Sequence, residues 1–493
     1  MLFNSIEYLI FFPIIAIIYF VLPQKVRAFW LMCASFAFYA FWNKKYLLLL
    51  LACIGVTYLA GLVLDRFRDK KSGVKKLVLF AGVAIQLGVL FYFKYFGFFW
   101  ETAQDLWGWP KSDIDDILLP VGISFFTFQA IGYVIDVYRG TIRAEKNPIH
   151  YALFLSFFPQ LVAGPIERSA NMLPQIKEKH GFNVERIRRG ILTIAYGLFI
   201  KIVLADNIGL LVDPVFADVD GHSGMEFLMA VLMFAFEIYC DFAGYTRMAI
   251  GSAEVLGFRL CENFRQPYLA SSVNDFWKRW HISLTSWFRD YLYIPLGGNR
   301  KGKARKYINT IIVFLFSGLW HGAAWHFVVW GGLNGLLCIL EDVLRGPLQK
   351  CRIRLRGGTG EASNETLGWK ILKRVWMFIA VDLTWLFFRA ESIEDAWRIL
   401  CKIASGFQMK WFAAADYAAL FPSVKIMMAV VISMLVLLLA DMAAYLGKDL
   451  REIILKQGIV FRWIFYWITV MIIFFWGVYG TAYHATQFIY FQF

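Results

Sequence analysis

Tyr307–Gly332 reads YINTIIVFLFSGLWHGAAWHFVVWGG, an apolar run long enough to cross a bilayer, with an imidazole, His321, in its middle. The run follows directly on a basic cluster, Arg300-Lys301-Gly302-Lys303-Ala304-Arg305-Lys306. An ionisable side chain at membrane depth is costly and marks a substrate path, a proton relay or a reaction centre. The plainer alternative is a structural imidazole bonded to a neighbouring helix. Runs of the same kind recur along the whole chain, among them IEYLIFFPIIAIIYFVLP from Ile6 and KLVLFAGVAIQLGVLFYF from Lys76. The fold class that follows is an all-α polytopic membrane protein, because the alternation and turn spacing of a membrane β-barrel are missing.

Composition agrees. Of 493 residues, 59% are hydrophobic and 17% charged, against roughly 45–50% and 25% in a soluble domain. The net charge of +14 would otherwise point to nucleic acid, but the basic residues sit in short loops between apolar runs, where they set topology. Membrane lipid is the expected surroundings, and nucleic acid is not a partner. The N-terminal MLFNSIEY carries Glu7 and no basic n-region, so the first span is expected to be retained and not cleaved as a signal peptide. The seven cysteines, Cys33, Cys53, Cys240, Cys261, Cys338, Cys351 and Cys401, are scattered without a C-x-x-C pair, which supports neither a disulfide framework nor a thiolate zinc site.

Loop charge gives an alternating topology. Asp65–Lys76 is strongly basic and reads as cytoplasmic, as do Lys177–Arg189 and Arg345–Arg356. The loop from Glu101 to Asp116 and the one holding Asp213, Asp218 and Asp220 are acidic and read as external. Both termini then fall outside the cytoplasm, with roughly a dozen spans. These are expected to start near Ser5, Arg27, Tyr46, Lys76, Ile117, Arg189, Glu226, Tyr307, Val328, Lys370, Val424 and Arg462. Ile149–Pro165 is apolar but broken by Pro159 and Gly164-Pro165, with basic loops on both sides, and reads as re-entrant. No fixed-period or inverted repeat is visible. Gly357–Asn364 is the one stretch with linker composition. We expect a core over residues 1–345, with C-terminal transmembrane helices over 346–493 completing or extending it.

Between Cys240 and His326 polar residues interrupt the apolar pattern too often for uninterrupted spans. In SSVNDFWKRWHISLTSWFRDYLYIPLGGNR, Ser272 or Asn274 caps a helix that Pro295-Leu296-Gly297-Gly298 ends. Trp280, His281, Leu284, Trp287, Phe288 and Tyr291 recur at helical spacing, opposite Lys278, Arg279, Ser283, Arg289 and Asp290. The pattern predicts one amphipathic helix at the cytoplasmic interface, with His281 on its aromatic face. The alternative for His281 is a buried imidazole held by a carbonyl, or an aromatic belt. Two histidines on apolar faces about forty residues apart are harder to set aside together. His321 and His326, five apart, turn roughly 140° from each other on a helix, no H-E-x-x-H occurs, and carboxylates are scarce, so no metal site is expected. There is no G-x-S-x-G, and Ser283 and Ser317 lack a partnered Asp. Histidine acting as a general base within the membrane, near a substrate hydroxyl, remains.

At this level the sequence resembles a known family. EIYCDFAGYTRMAIGSAEVLGF from Glu237, ENFRQPYLASSVNDFWKRWHISLTSWFRDYLYIPLGGNR from Glu262 and SGLWHGAAWHFVVWGGLNG from Ser317 are similar to motifs of the membrane-bound O-acyltransferases. So are PVGISFFTFQAIGYVIDVYRG from Pro120 and FFPQLVAGPIERSANMLPQI from Phe157, and the likeness runs over roughly Met1 to Leu340. Within the family the chain looks most like the polysaccharide-acetylating branch that serves alginate, and it is related to the branch that passes D-alanine to lipoteichoic acid. The resemblance implies tilted helices ringing a thin centre, with a tunnel reached from both faces. His321 corresponds to the family's near-invariant histidine and His281 to the second histidine of the bacterial branch. Arg247, where a small or acidic residue is the rule, departs from the pattern.

The resemblance implies acyl transfer, most simply acetyl, from a cytoplasmic thioester such as acetyl-CoA or an acyl-carrier protein, with no resident cofactor. The acyl group would go toward an envelope polysaccharide or an extracytoplasmic acetyltransferase partner. His321 would be the general base, with His281 orienting the thioester, polarising its carbonyl or sharing the proton. A positioned base contributes typically 10²–10⁴-fold, and an imidazole pKa of about 6.5 suits neutral operation. Asn274, Trp280, Trp320 and Asp241 are further candidates for the substrate path. For Asp241 the structural alternative is an ion pair with Arg247 or another arginine. Rival classes are D-alanyl transfer to teichoic acid, a transporter of polysaccharide or lipid-linked sugar, and a membrane scaffold for a partner enzyme.

Overall fold

The computed structural model describes residues 1–69, 73–109, 118–162, 164–355, 366–406 and 420–479. The linker composition at Gly357–Asn364 and the tip of the acidic loop before residue 118 lie outside them. Every regular element among the described residues is helical, and they fall into two compact units.

The first unit comprises the described residues of Met1–Leu198 with Gly244–Glu262. It holds α1 Ile6–Val21, α2 Gln24–Ala40, α3 Lys44–Arg66, α4 Gly73–Leu90, α5 Phe96–Trp107, α6 Ile123–Arg139, α7 Pro148–Ser156, α8 Phe158–Leu161, α9 Ser169–Lys177 and α10 Val184–Leu198. The second draws on Phe199–Ala243 and Asn263–His484. It holds α11 Asp206–Ala217, the first part of α12 Gly224–Leu256, α13 Val273–Arg279, α14 Ile282–Phe288, α15 Gly302–His321 and α16 Trp325–Leu355. It continues with α17 Leu367–Arg389, α18 Ile393–Gly406, α19 Val424–Tyr445, α20 Leu450–Leu455 and α21 Ile459–Trp476.

Local sequence sets these boundaries. The side chains of Ser5, Asn43, Asn147, Ser272, Thr366 and Ser423 each accept a main-chain N–H from the first turn of the helix they precede. Gly140, at φ 78°, closes α6 in the left-handed conformation. Each span start read from hydropathy has a helix beginning within six residues of it, the widest gap being Ile117 against Ile123. Seven helical stretches are long and apolar enough to cross a membrane: Lys44–Arg66, Gly73–Trp107, Val184–Ala217, Gly224–Leu256, Trp325–Lys350, Val424–Tyr445 and Ile459–Trp476. Helices α1, α2 and α6, at 16, 17 and 17 residues, fall short of the roughly 20 a straight crossing takes, and α15 and α17 open on basic residues.

In the first unit, the segment read as re-entrant is a nine-residue buried helix, α7, that breaks at Phe157 and not at Pro159. The main-chain groups freed by the break are met by side chains: Phe158 N–H donates to Ser35 Oγ at 3.0 Å, and Gln160 Nε2 donates to Phe154 O at 2.6 Å. Non-helical backbone within an apolar core persists only on such terms.

In the second unit, α15 and α16 pack at backbone contact. A Cβ on Gly318 would collide with the Phe327 carbonyl, and one on Gly331 with the Phe314 carbonyl. Small residues at such crossings let two helices approach closely where lipid supplies no hydrophobic drive. α16 is tied to α17 by polar contacts: Asn334 Nδ2 donates to Thr384 Oγ1 at 3.1 Å, and His326 Nδ1 lies 3.0 Å from Phe387 O. Thus α15 through α17 form one packed layer beneath the aromatic cluster described next.

Substituting Gly331→Leu should abolish this crossing, because the obstacle is main chain and cannot rotate away. Overpacking of this kind costs about 1–3 kcal/mol or more. We expect a clear fall in thermal stability and yield of detergent-purified protein. Gly332→Ala, whose added carbon would meet only Leu315 Cδ2 at 3.5 Å, should melt like the parent. Equal melting of the two variants would contradict the packing argument.

Candidate active site

His321 is the last residue of α15, and the chain turns through an extended Gly322 (φ −159°) before α16 starts at Trp325. A side chain at residue 322 would occupy the Phe327 ring, so the turn is tight by necessity. The imidazole is 4% exposed. Its ring centroid lies 5.0 Å from Trp320, 5.1 Å from Trp330, 5.4 Å from Phe388 and 6.3 Å from His281.

The two histidines are therefore neighbours, and a break in the chain makes them so. The continuous amphipathic helix expected from Ser272 to Pro295 is not formed. α13 ends at Arg279, Trp280 is extended, and His281 stands in the left-handed region at φ 43°, ψ 53°, before α14 begins at Ile282. The reason is competition for main-chain partners. Arg265 N–H donates to Arg279 O at 3.0 Å, and Ile282 N–H donates to Asn263 O at 2.9 Å in place of a carbonyl one turn back. Asn263 Oδ1 accepts a further bond from Ser283 N–H. His281 is 1% exposed, with its ring 4.7 Å from Phe242 and 5.7 Å from Trp320. It lies outside the crossing helices, and burial pushes its imidazole down to about 3, so it is neutral at any working pH.

The other candidates divide. Trp320 packs against both histidine rings. Trp280 is buried among Phe264, Phe276 and Trp385, with centroids 5.0, 5.4 and 5.0 Å away, as part of the aromatic wall. Asn274 clamps α13 to α16: its main-chain N–H and its Nδ2 both donate to Glu341 Oε2, at 3.0 and 3.1 Å. Asp241 is buried on α12, and its ion-pair partner is a lysine where an arginine was expected. Lys201 reaches Asp241 and also Asp206 Oδ1, at 2.6 Å, while the Arg247 guanidinium lies 4.9 Å above the Tyr196 ring.

Lys201 went unnoticed in the sequence, although its signal is present: a single basic residue in ILTIAYGLFIKIVLADNIGLL, from Ile191. It sits in a π-helical stretch, Phe199–Ala205, a distortion often found at functional sites. Trp330, Trp385 and Phe388 were also missed, since aromatic residues in an apolar run carry no positional mark. His326 is bonded to α17 as described, and no cluster of His, Cys, Asp and Glu among the described residues is arranged to hold a metal.

At the far end of α15, Arg300, Lys301, Lys303 and Arg305 are exposed, and Lys306 pairs with Asp342 at 2.7 Å. From Lys306 to His321 the helix rises roughly 22 Å at 1.5 Å per residue. The arrangement offers one neutral imidazole and a second one beside it, in an aromatic wall, with a basic surface at the opposite end of the same helix.

Known proteins share this stretch. The sequence model of the membrane-bound O-acyltransferase family matches residues 142–389, which include both histidines and every ring around them. The chain is 36% identical over 409 residues to a probable alginate O-acetylase of Azotobacter vinelandii, covering 82% of this chain and 78% of that protein. It is 36% identical over 434 residues to a peptidoglycan O-acetyltransferase of Helicobacter pylori, covering 81% and 79%. To a teichoic acid D-alanyltransferase of Streptococcus thermophilus it is 28% identical over 239 residues, covering 45% and 56%. With half its length matched by the family and about four-fifths by relatives that transfer acyl groups to oxygen, this polytopic helical chain belongs to the membrane-bound O-acyltransferase family and is an O-acyltransferase.

Proposed function

We propose that the protein moves an acetyl group from a cytoplasmic thioester, acetyl-CoA or an acyl-carrier protein, across the membrane toward a cell-envelope polysaccharide or an extracytoplasmic acetyltransferase partner. The observation that carries this reading is the approach of His281 and His321 to 6.3 Å inside apolar protein. His321 takes the proton from the acceptor hydroxyl as its oxygen bonds to the acyl carbon, and the thiolate leaves and receives that proton. Thioester and alcohol become ester and thiol with no net proton change, so no resident cofactor is required. His281, neutral by burial, serves as a hydrogen-bonding group on the thioester and not as a second charge.

Acetyl is favoured over D-alanyl because the acetylating relatives match over about four-fifths of the chain and the D-alanylating ones over less than half. Transporter and scaffold readings are set aside with membership of an acyltransferase family. The acyl group travels through a tunnel past His321, with the donor arm entering from the exposed basic face at Arg300–Arg305, which suits an acidic carrier. Residues 1–345 form the catalytic core, and the helices of 346–493 complete it. Trp385 and Phe388, beyond that division, pack on Trp280 and His321. The protein resides in the inner, or plasma, membrane, with lipid around it and both termini outside the cytoplasm.

His321→Ala should insert and purify normally yet lose at least 10²–10⁴-fold in acyl transfer in proteoliposomes supplied with donor and acceptor. Turnover close to the parent's would remove the base. For His281 the test is the pH profile. A group at about 3 does not titrate between pH 5 and 8, so kcat/KM should rise with pH through a single ionisation, that of the base. His281→Gln should lower kcat and leave the midpoint of that rise in place; disappearance of the rise would transfer the base to His281. Sidedness is checked by a cysteine at Lys303: an impermeant maleimide should label it in inverted vesicles and not in intact cells.

A further inference from the structure

Beside His321 the aromatic wall contains an oddity that the reaction itself explains. Trp330 is completely buried and Trp277 is 8% exposed, yet neither indole Nε1–H has a hydrogen-bond partner among the described residues. Trp385 Nε1, in the same wall, is likewise without one, whereas Trp30 Nε1, outside it, donates to Ile15 O at 3.2 Å. A buried donor without an acceptor costs free energy, and native proteins rarely tolerate one without a reason. Trp277 and Trp330 lie together, with ring centroids 5.7 Å apart at 73°, and of these Trp330 is 5.1 Å from His321.

Neither ring is free to turn away. Trp330 stacks on Trp385 at 5.6 Å and 22° and meets Phe388 edge-on, while Trp277 abuts Phe314 at 5.3 Å. Rigid donors held ready are what stabilise charge that appears only during reaction. The missing partner is an acceptor oxygen that is not part of the protein and that arrives next to His321.

We propose that the Trp330 indole N–H, with Trp277 beside it, donates to the carbonyl oxygen of the acyl thioester and to the oxyanion that oxygen becomes. The distances allow it. A base reaches an attacking hydroxyl across about 2.6–3.2 Å, and an oxyanion donor lies about 2.7–3.1 Å from its oxygen. The two oxygens share one tetrahedral carbon, so a base and a donor on rings 5.1 Å apart can engage the same intermediate. As the alcohol oxygen bonds to the carbon, the carbonyl π pair moves onto this oxygen. It returns when the carbon–sulfur bond breaks and the thiolate takes the proton held by the imidazole. The assignment rests on His321 as the reacting centre, and it makes Trp330 a catalytic residue of that reaction.

The test removes the N–H, first with a smaller ring and then with one of equal size. Trp330→Phe in the full-length protein, reconstituted with acetyl-CoA or acetylated carrier protein, should lose about 10²–10³-fold in kcat, the usual effect of removing an oxyanion donor, with donor KM changed less than threefold. Its melting temperature should hold or rise when β-(3-benzothienyl)alanine, with sulfur in place of N–H, is installed at residue 330, because an unmatched donor is removed without loss of volume. That second variant decides the matter should Trp330→Phe fold poorly. Unchanged kcat in a folded variant overturns the proposal. So does a fall in melting temperature in the sulfur variant, which would mean that the N–H already has a partner such as a ring face. Trp277→Phe should give a smaller loss than Trp330→Phe. His321→Ala separates the two ideas: activity retained there but lost at residue 330 sinks the base and leaves the donor, and the reverse sinks the donor alone.

Discussion

Main-chain hydrogen bonding inside apolar surroundings governs this molecule, and the candidate site is built where it is hardest to satisfy. A helix that breaks at His281 strands N–H and C=O groups that water would otherwise meet. The segment around Asn263 takes them: its carbonyl receives Ile282, its side chain receives Ser283, and Arg265 N–H closes on Arg279. A non-glycine residue in the left-handed region costs about 1–3 kcal/mol, and three well-made bonds are of that size together. Because α13 and α14 are separate, the imidazole of His281 can stand against Phe242 and Trp320 at the end of α15. Without the Asn263 contacts the sequence pattern would favour the continuous helix, and His281 would lie one residue along an unbroken aromatic face.

The buried charges support the same region from another side. Lys201 is 1% exposed and lies between Asp206 and Asp241, at 5% and 2%. An isolated charge at this depth would cost several kcal/mol, and a pair recovers that only with close geometry and further hydrogen bonds. Such a group adds little to net stability and much to specificity, since any register that parts Lys201 from its carboxylates is heavily penalised. Asp241 directly precedes Phe242, whose ring centroid lies 4.7 Å from that of His281. A fixed ion pair one residue away gives Asp241 a structural task beside that ring.

What the sequence revealed follows from which signals are local. Hydropathy and loop charge marked helix starts from Ser5 to Arg462 to within six residues, because each apolar run is long and many boundaries carry a cap or a basic residue; seven of the stretches are long and apolar enough to cross a membrane. The two histidines were conspicuous as ionisable groups in apolar surroundings. The break between Trp280 and Ile282 was invisible, since helical periodicity continues straight through it and the competing acceptor, Asn263, lies eighteen residues upstream of His281. Lys201 as the partner of Asp241 was missed for the same reason: ion pairing across helices depends on tertiary register. Family resemblance brought His281 and His321 together as residues of one site; their separation and the rings around them had to come from three dimensions.

The same side chain can do different work at the two positions because each stands at a different end of a helix. His321 closes α15, a helix of 20 residues, so carbonyl dipoles point toward the imidazole and stabilise positive charge as it forms, by roughly 0.3–1 kcal/mol in exposed cases and up to about 2 when partly buried. His281 opens α14, where main-chain N–H groups oppose such charge, and burial opposes it further. On the proposed assignment, a proton between the two rings, 6.3 Å apart, goes to His321. Histidine identity alone is compatible with either role; it is the helix ends, fixed by Gly322 on one side and Asn263 on the other, that distinguish the proposed base from its proposed neutral partner.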